Sequence, residues 1–383
     1  MRAAVPRAED REELLACLQL ARAEGVGPVT FAGLLKRHGT TAAALRALRQ
    51  HPAPDGSARR VPDRRALLAE LEALAALDAA VLVKTTGGYP AQLVHLADSP
   101  AALTVRGDAD LLHRPAVAIV GARNASANGC AFARRLGREL ADAGLVVVSG
   151  LARGIDTAAH EGALAAGGAT VAVIAAGVDV AYPPENAGLM ARIAAEGAVV
   201  SERPLGAHAR AKDFPRRNRI IAGLALGVVV VEAAPASGSL ITARLALDYG
   251  REVMAVPGSP QDPRHRGTNQ LLRDGAHLVE GSDDILAILA PLRGRQEAPP
   301  LRSARLPTEA RRRREVVPSA RPAPAEPIQD RLLAALGPSP LAVDELIREC
   351  DAPAPDVQAA LLELELAGRI DRQPGNRVCL RAD

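Results

Sequence analysis

The chain has 383 residues, 48% of them hydrophobic and 24% charged, which is typical of a soluble globular protein with two or three domains. Its net charge is only +3, so the molecule is not a polycation and any nucleic-acid site must come from local clustering. The longest uncharged apolar stretch is far shorter than a membrane span, and the four cysteines are widely spaced. We therefore expect no membrane segment, no secretory signal, no metal site and a cytoplasmic location.

Residues 1–80 are expected to form a helical domain, because four apolar-periodic segments follow one another between residues 10 and 75. The turn at Gly25–Gly27 resembles a helix-hairpin-helix, a motif that offers backbone N–H groups to phosphate. A plain turn of a small helical bundle is the alternative, since there is one such hairpin and its flanks are weakly basic.

Residues 81–292 change to short, continuously apolar runs separated by segments that can form helices. Such runs are typical of parallel strands covered on both faces, so we expect an α/β fold with a Rossmann-like, doubly wound, mostly parallel sheet. Ligands of these sheets bind beyond the carboxyl ends of the strands, at helix N-termini. Strands are predicted at 116–120, 145–149, 170–175, 198–201, 228–233 and 252–257.

The last two regions differ from the sheet region and from each other. Residues 293–327 contain seven prolines and nine arginines, which predicts a flexible linker. Residues 328–383 predict three helices followed by a β-hairpin, the plan of a winged-helix domain. The helix in the recognition position carries Asp356, Glu363 and Glu365 and no basic residue. This favours protein contact or weak DNA contact over sequence-specific reading of DNA.

The loop after the first of these predicted strands has the composition of a phosphate-binding turn. Gly121 permits a tight turn, Arg123 supplies a guanidinium, and Ser126 can cap a helix whose first N–H groups would face an anion. The loop matches neither GxGxxG nor GxxxxGK[ST], so we expect no dinucleotide cofactor and no Walker-type ATP hydrolysis. The alternative is an ordinary strand-to-helix turn with a surface arginine.

The loop after the second predicted strand again combines glycines with an arginine, at Gly150, Arg153 and Gly154. Asp156 and His160 lie four residues apart, on one face of the following helix. They could form an acid–base pair, or Asp156 could bind loop N–H groups while His160 is buried. The absence of an accompanying nucleophile or metal-ligand set favours the structural alternative.

The loop after the fourth predicted strand is the most basic part of the sheet region. Phe214, one of only three phenylalanines in the chain, lies within it, which favours a nucleobase stacked above arginines that hold phosphates. The alternative is a hydrophobic staple packed ahead of the next helix. The basic residues of this patch are Arg203, Arg210, Lys212, Arg216, Arg217 and Arg219.

Two further strand ends offer similar features, with small residues at Ser237–Thr242 and basic residues between Arg264 and Arg266. Five of the six predicted strand ends thus carry glycine-rich anion sites or arginines. One small cofactor needs one or two of them, whereas a polyanionic strand laid across the sheet edge could use most.

Together these loops resemble the DNA-processing protein A family (DprA, also called Smf), over about residues 85–280. One departure is Ala122, where serine is usual; it removes a hydroxyl but leaves the turn and Arg123. The matching segments are GARNAS, SGLARGID with His160, YPPEN, FPRRNRIIAG, VVVEAAPASGSLIT and PGSPQDPRHRGTNQLL.

The resemblance implies a non-enzymatic protein with no cofactor that binds and protects single-stranded DNA as a homodimer. Its expected partner is the RecA recombinase, loaded onto strands that include those coated by single-strand-binding protein, in natural transformation. In this family-based interpretation phosphate is held by Arg123, Ser126 and the backbone around Gly150–Gly154. The DNA backbone is held electrostatically by Lys212, Arg217 and Arg219. A base stacks on Phe214. The predicted DNA-binding residues are Gly121, Arg123, Asn124, Ser126, Gly150, Arg153, Gly154, Arg210, Lys212, Phe214, Arg216, Arg217, Asn218, Arg219, Ser237 and Gly238.

The rival hypothesis is a nucleotide-binding or glycosidase-like enzyme of the same superfamily. Nucleoside-monophosphate phosphoribohydrolases carry PGGxGTxxE, whose glutamate works on the ribose. In the corresponding stretch, Ala236–Ala243, no carboxylate follows until Asp248, so the hydrolase would lack its acid or base. A nucleotide-sensing or structural module is a third alternative.

A symmetric dimer is expected through the late part of the α/β domain. The segment Asn269–Leu289 carries more aliphatic side chains than one short helix usually buries. A protein that coats a strand also benefits from two linked sites.

Overall fold

The computed structural model of the chain describes residues 8–50, 59–293, 328–337, 340–350, 352–373 and 377–380. The polypeptide divides into two compact units, residues 1–290 and 291–383. Apart from its first residue, the predicted linker lies outside the described residues, as does the predicted hairpin turn at 374–376. Within the described ranges, no helix combines the length and hydropathy that crossing a bilayer requires.

The first unit begins with the predicted helices, because their apolar residues recur at helical spacing and bury one face. Gly25 adopts a φ of 75° in the turn before the second helix, and Phe31 and Leu20 pack with Val83 of the sheet in one core cluster. The helices therefore pack onto the sheet. They are α1 (Ala8–Ala21), α2 (Pro28–His38), α3 (Thr41–Gln50) and α4 (Arg64–Ala76).

The α/β part of the first unit follows, and it contains all six predicted strands together with three strands that were not predicted. Short 3-10 helices lie at Ala109–His113, Pro184–Asn186 and Pro263–His265. The longer elements are β1 (Ala79–Val83), α5 (Ala91–Val94), β2 (Ala102–Gly107), β3 (Ala116–Val120), α6 (Ala127–Asp142), β4 (Val146–Ser149), α7 (Ile155–Ala165), β5 (Thr170–Ile174), α8 (Ala187–Glu196), β6 (Ala198–Ser201), α9 (Asp213–Leu224), β7 (Gly227–Val230), α10 (Gly238–Asp248), β8 (Glu252–Ala255), α11 (Arg266–Arg273), β9 (His277–Leu278) and α12 (Ser282–Arg293).

The strands form one sheet in the order β1-β2-β6-β5-β4-β3-β7-β8-β9. Neighbours from β6 to β9 pair in parallel, whereas β1 with β2 and β2 with β6 pair antiparallel. The chain builds β3 to β6 in one direction and then returns through α9 to place β7 on the other side of β3. The predicted fold class is confirmed, and the reversal creates a switch point between β3 and β7, where ligands of such sheets bind.

Burial explains which strands the sequence revealed. Every residue of β3, β4, β5 and β7 is buried, so these strands are continuous apolar runs. The strands that were not predicted lie at the two margins of the sheet, where β1 is only half-buried and both residues of β9 are exposed. Strands at these margins need no continuous apolar run, and β1 also spans the predicted domain boundary at residue 80.

The second unit has the predicted winged-helix plan of three helices and a small antiparallel sheet. The sheet has the order β10-β12-β11, and Leu332, Leu346, Leu361 and Val378 are fully buried. Its elements are α13 (Ile328–Ala335), β10 (Leu341–Ala342), α14 (Val343–Glu349), α15 (Ala354–Leu366), β11 (Ile370–Gln373) and β12 (Arg377–Leu380).

Candidate nucleic-acid interface

A cavity of about 610 Å³ lies at the switch point, above the carboxyl ends of β3, β4 and β7. It is bounded by the first turns of α9 and α10 and by the loop that follows β3. This is the position that the sheet topology predicts for a ligand. Predicted site residues that line it include Gly121, Arg123, Asn124, Phe214, Arg217, Asn218, Ser237 and Gly238.

The turn after β3 is held by a buried carboxylate that the sequence analysis missed. Ser126 caps α6, since its Oγ accepts a hydrogen bond from the Gly129 N–H at 2.9 Å. Glu232, after β7 and only 1% exposed, accepts from the Ser126 N–H at 2.9 Å and from the Ser126 hydroxyl. The hydroxyl of Ser126 is therefore occupied by protein groups, so Ser126 shapes the turn rather than offering a free donor to phosphate.

Gly150 and Gly154, in the loop after β4, allow other protein groups to approach the backbone of this loop closely. Gly154 has a φ of 73°, and a Cβ there would lie 2.4 Å from the Ala122 carbonyl oxygen, so this glycine lets the two loops touch. A Cβ on Gly150 would lie 2.2 Å from Nη1 of Arg217. The Gly150 N–H donates to Asp156 at 3.1 Å. The space beside the Gly150 Cα is therefore filled by Arg217, and phosphate contact at this loop stays a prediction.

Along this edge lies a buried group that we call the floor: Asp156 and Arg217, which line the cavity, with His160 and Arg219, which are enclosed by the protein. Arg217 is 7% exposed, and its guanidinium donates to the carbonyls of Gly150 and Val173, the latter at 2.6 Å. Burial lowers the pKa of Arg217 to about 10, while the nearby Asp156 carboxylate opposes that shift. Burial also raises the pKa of Asp156, and Arg217 opposes it.

His160 belongs to the same floor but forms no acid–base pair with Asp156. Its Nδ1 lies 2.7 Å from Thr170 Oγ1, and its Nε2 has no hydrogen-bond partner in the described part of the chain. Burial, together with the nearby Arg217 charge, lowers the pKa of His160 to about 3. Because Asp156 binds loop N–H groups and His160 is buried and neutral, the geometry supports the structural alternative for this pair.

Arg219 is also enclosed, with 8% of its surface exposed. Its Nη2 lies 2.6 Å from each carboxylate oxygen of Glu202, and its Nη1 donates to the Asp98 carbonyl. The prediction of electrostatic DNA contacts for Arg217 and Arg219 is therefore not supported by their placement. Such a contact would require Arg217 to leave two buried carbonyls, and Arg219 to leave the partly exposed Glu202 and Asp98, which costs free energy.

Above the floor, the second group of basic residues is exposed, and we call it the rim: Arg123, Arg210, Lys212 and Arg216. No ion pair joins any of these four to a carboxylate among the residues that the structure describes. Arg153, also predicted, is exposed but pairs with Glu185. The rim therefore supplies the uncompensated positive charge of this edge.

The aromatic ring of Phe214 lies within the rim, half-buried in the first turn of α9. The Arg123 guanidinium carbon lies 4.9 Å from the centroid of the Phe214 ring, a cation–π contact. Tyr182, in the loop after β5, lies on the same ring with centroids 5.3 Å apart and planes inclined by 53°. These contacts favour an exposed stacking platform over the staple alternative.

Tyr182 was not predicted as a site residue, although it is 44% exposed. Two signals in the sequence could have indicated it: aromatic residues are scarce in this chain, and Tyr182 follows a predicted parallel strand. Its loop therefore reaches the same carboxyl edge as that of Phe214.

The start of α10 completes the cavity. Ser237 caps this helix by accepting from the Ser239 N–H at 3.2 Å, and Asn218 Nδ2 donates to the Gly238 carbonyl at 3.1 Å. A Cβ on Gly238 would meet nothing within 4 Å, so the space above this helix start is open. Asp248, at the far end of the 11-residue helix, is about 15 Å away at 1.5 Å per residue.

Among the described residues that line the cavity, the carboxylate is Asp156, and it accepts from the Gly150 N–H, so it is not free to serve the rival hydrolase as an acid or base. Glu232 and Asp156 are the carboxylates beneath the switch-point loops, and both are buried and hydrogen-bonded to the protein.

A sequence profile described as DNA recombination-mediator protein A matches residues 80–290 of this chain. Protein Smf of Escherichia coli (strain K12) is 42% identical over 295 residues, which cover 76% of this chain and 75% of that protein. The chain belongs to the DNA recombination-mediator protein A family. Two further profiles of this family, a DprA-like N-terminal HHH domain and a DprA winged helix domain, match residues 11–73 and 317–376.

Solved structures of DprA proteins show the same relationship. The X-ray structure of DNA processing protein A from Streptococcus pneumoniae aligns with a TM-score of 0.61 and 34% identity, covering 72% of this chain and 96% of that one. The DNA processing protein A of Helicobacter pylori, described for its single-stranded DNA binding mode, aligns with a TM-score of 0.51 and 31% identity, covering 56% and 97%. The chain is thus a DprA-family member in sequence and fold.

Proposed function

We propose that this protein binds single-stranded DNA along the carboxyl edge of its sheet, with the strand crossing the switch point. The observation that carries the proposal is the cluster of Arg123, Phe214 and Tyr182 at the switch-point cavity. A cation beside a partly exposed ring can hold a phosphate while the ring stacks a base. Membership of the family supports this, as does the single-stranded DNA binding for which the Helicobacter pylori relative is described.

The predicted site residues divide into two roles in this proposal. The rim residues Arg123, Arg210, Lys212 and Arg216 hold the DNA backbone, and bases stack on Phe214 and Tyr182. Gly238 and Asn124 line the path of the strand. The floor residues Arg217 and Arg219, with Ser126 and Asn218, position these loops from below.

The test is binding of a labelled oligo-dT and of a duplex of equal length, across a salt series. We expect tighter binding of the single strand, with a log–log slope of about −0.7 for each neutralised phosphate. Equal affinity for duplex and single strand would contradict the proposal. Incubation with nucleoside monophosphates should release no base, which separates this function from the rival hydrolase.

We also propose a more specific role, recombination mediation in the cytoplasm. The protein would protect the single strand and load RecA recombinase onto it, including strands coated by single-strand-binding protein. The family description, a recombination mediator, supports it. RecA filament formation on coated single strands should accelerate when the protein is added. A Phe214→Ala protein that is folded but binds DNA poorly should accelerate it less.

Assembly as a homodimer is the last part of the proposal. Leu278 is 54% exposed on β9, a strand at the margin of the sheet with unpaired backbone groups. Ile285 and Leu289, which the dimer prediction also included, are buried within their own unit. We expect a dimer mass in solution that Leu278→Glu lowers to that of a monomer. A wild-type mass that stays monomeric at every concentration would rule the dimer out.

A further inference from the structure

A second cavity, of about 740 Å³, lies beside the first, above the ends of β5 and β6. The first turn of α9 separates the two cavities. Phe214 and Pro215 line the switch-point cavity, Asp213 and Arg216 line the second, and Arg217 contributes to both. The two cavities are therefore neighbours along one edge of the sheet, in the direction that a strand crossing that edge would follow.

The opposite wall of this second cavity is the N-terminal hairpin, residues Gly25 to Pro28. Gly27 precedes the 11-residue helix α2 in an extended conformation, with φ of −94° and ψ of 176°, and no side chain caps the helix. Pro28, the first residue of α2, has no N–H, so the donors that no side chain caps are the N–H groups of Val29 and Thr30. Such groups, at the positive end of a helix, favour an anion.

The arginines of the cavity outnumber its carboxylates, and each carboxylate already has a partner. Glu202 pairs with Arg219, and Asp98 accepts from the Tyr249 hydroxyl at 2.7 Å. Asp213 accepts from the Arg210 N–H at 3.1 Å through Oδ2, while its Oδ1 has no hydrogen bond from a described residue and faces Arg203. The lining arginines are Arg22, Arg203, Arg216, Arg217 and Arg219, against Asp98, Glu202 and Asp213.

Two of these arginines have the freedom to bind a ligand. Arg203 and Asp213 approach only to 3.7 Å, beyond hydrogen-bond distance, and Arg203 Nε donates to no group in the described part of the chain. Arg216 is exposed and has no described ion pair. Both can therefore turn toward a phosphate without breaking a short contact.

We propose that the second cavity is a further nucleotide subsite for the same DNA strand. The strand that stacks on Phe214 continues over the first turn of α9 and places a later phosphate between Arg203, Arg216 and the N–H groups of the hairpin. A volume of this size is ample for one nucleotide. The inference rests on the proposed function and adds that the N-terminal helices are part of the DNA path.

The test is a charge placed on the hairpin at Gly27. A Cβ there meets nothing within 4 Å, its φ suits any residue, and aspartate is a preferred residue at a helix start. Gly27→Asp should therefore fold with undiminished thermal stability while it covers the N–H groups and repels phosphate. Gly27→Ala is the matched control, since it adds a Cβ with neither a cap nor a charge.

Affinity is measured for the dinucleotide dTdT and for oligo-dT of about 16 nucleotides, because the cavities are neighbours and only the longer strand can fill the first and continue over α9 into the second. We expect Gly27→Asp to bind the short strand like wild type and the long strand about tenfold more weakly, with Gly27→Ala close to wild type on both. Arg216→Ala should likewise weaken the long strand more than the short one.

An unchanged long-strand affinity for Gly27→Asp would overturn the subsite, and so would an equal loss on both lengths. Failure of the wild-type protein to bind either strand would instead overturn the proposed function, and the subsite with it.

Discussion

The rim and the floor of the site both contain arginines, which are exposed in the rim and buried in the floor. Arg216 is exposed without a described ion pair, whereas Arg217, the next residue, is buried beneath the cavity and hydrogen-bonded to two carbonyls. Successive residues of a helix point about 100° apart, so one arginine faces solvent and the other faces the sheet. Two neighbouring arginines therefore have different roles: Arg216 can contact DNA, and Arg217 supports the loops from within the protein.

Arg217→Ala gives the largest expected effect. Removing the guanidinium leaves the buried carbonyl oxygens of Gly150 and Val173 without their donor and removes the positive charge that favours the buried Asp156 carboxylate. Together these losses should cost about 3–5 kcal/mol of unfolding free energy. Urea denaturation of the full chain measures it. The matched control is Arg216→Ala, which should change stability by no more than about 0.5 kcal/mol. Equal stability of the two variants would erase the distinction between rim and floor.

Acid should destabilise the protein partly through His160. Its folded pKa is about 3 and its ordinary value is 6.5, so between these values the unfolded chain takes up a proton that the folded protein refuses. Stability is therefore lost as pH falls through that window, by at most about 1.4 kcal/mol per pH unit.

The measurement is unfolding free energy against pH for wild type and His160→Gln, and the variant should show the shallower acid loss. Asp156 acts in the opposite direction, because its raised pKa lets the folded protein bind a proton first. It is present in both proteins, so their difference isolates His160. Identical profiles would show that His160 is not held neutral.

Phe214→Ala should cost about 1–3 kcal/mol of single-strand affinity with little change in melting temperature, since the half-buried ring serves as a stacking surface. Phe214→Tyr and Phe214→Trp should retain most of the binding. The discriminating variant is Phe214→Leu. A stable protein with poor binding supports stacking, whereas full recovery of binding by leucine means that the ring only packs.

Tyr182→Ala should weaken single-strand binding by about 1 kcal/mol, the lower end of the range for a stacked base, because the ring already leans on Phe214. Tyr182→Phe, which keeps the ring, is the control. Fluorescence anisotropy with labelled oligo-dT compares the two, and equal affinities would remove Tyr182 from the platform.

The smallest effects are expected for Arg123→Ala and Arg216→Ala, and they concern the salt dependence of DNA binding. Each should weaken binding on all base sequences alike and reduce the log–log salt slope by about one unit or less. A salt titration of oligo-dT binding measures both quantities. If either variant keeps the wild-type affinity and salt slope, that arginine does not contact DNA.

The sequence by itself determined the central sheet and the edge that carries the site. Strands buried on both faces must be continuous apolar runs, so β3 to β8 could be predicted, and their parallel order implies a ligand edge at the carboxyl ends. Arg123 and Phe214 could also be identified, because they interrupt this pattern in loops at that edge. The strands β1, β2 and β9 were missed for different reasons. β1 is an apolar run, AAVLV, that spans the predicted domain boundary, β2 ends in the polar and partly exposed Arg106–Gly107, and β9 has only two residues, both exposed.

Only the tertiary structure decided which charged side chains face the solvent and which lie beneath it. Glu232 reaches Ser126 across 106 residues of sequence, and Arg217 reaches the carbonyl of Val173 across 44. Tyr182 meets Phe214 because the loop after β5 and the start of α9 arrive at the same sheet edge. Such contacts depend on the order of strands in the sheet, a property that arises from the packing of distant segments and that no local pattern of residues encodes.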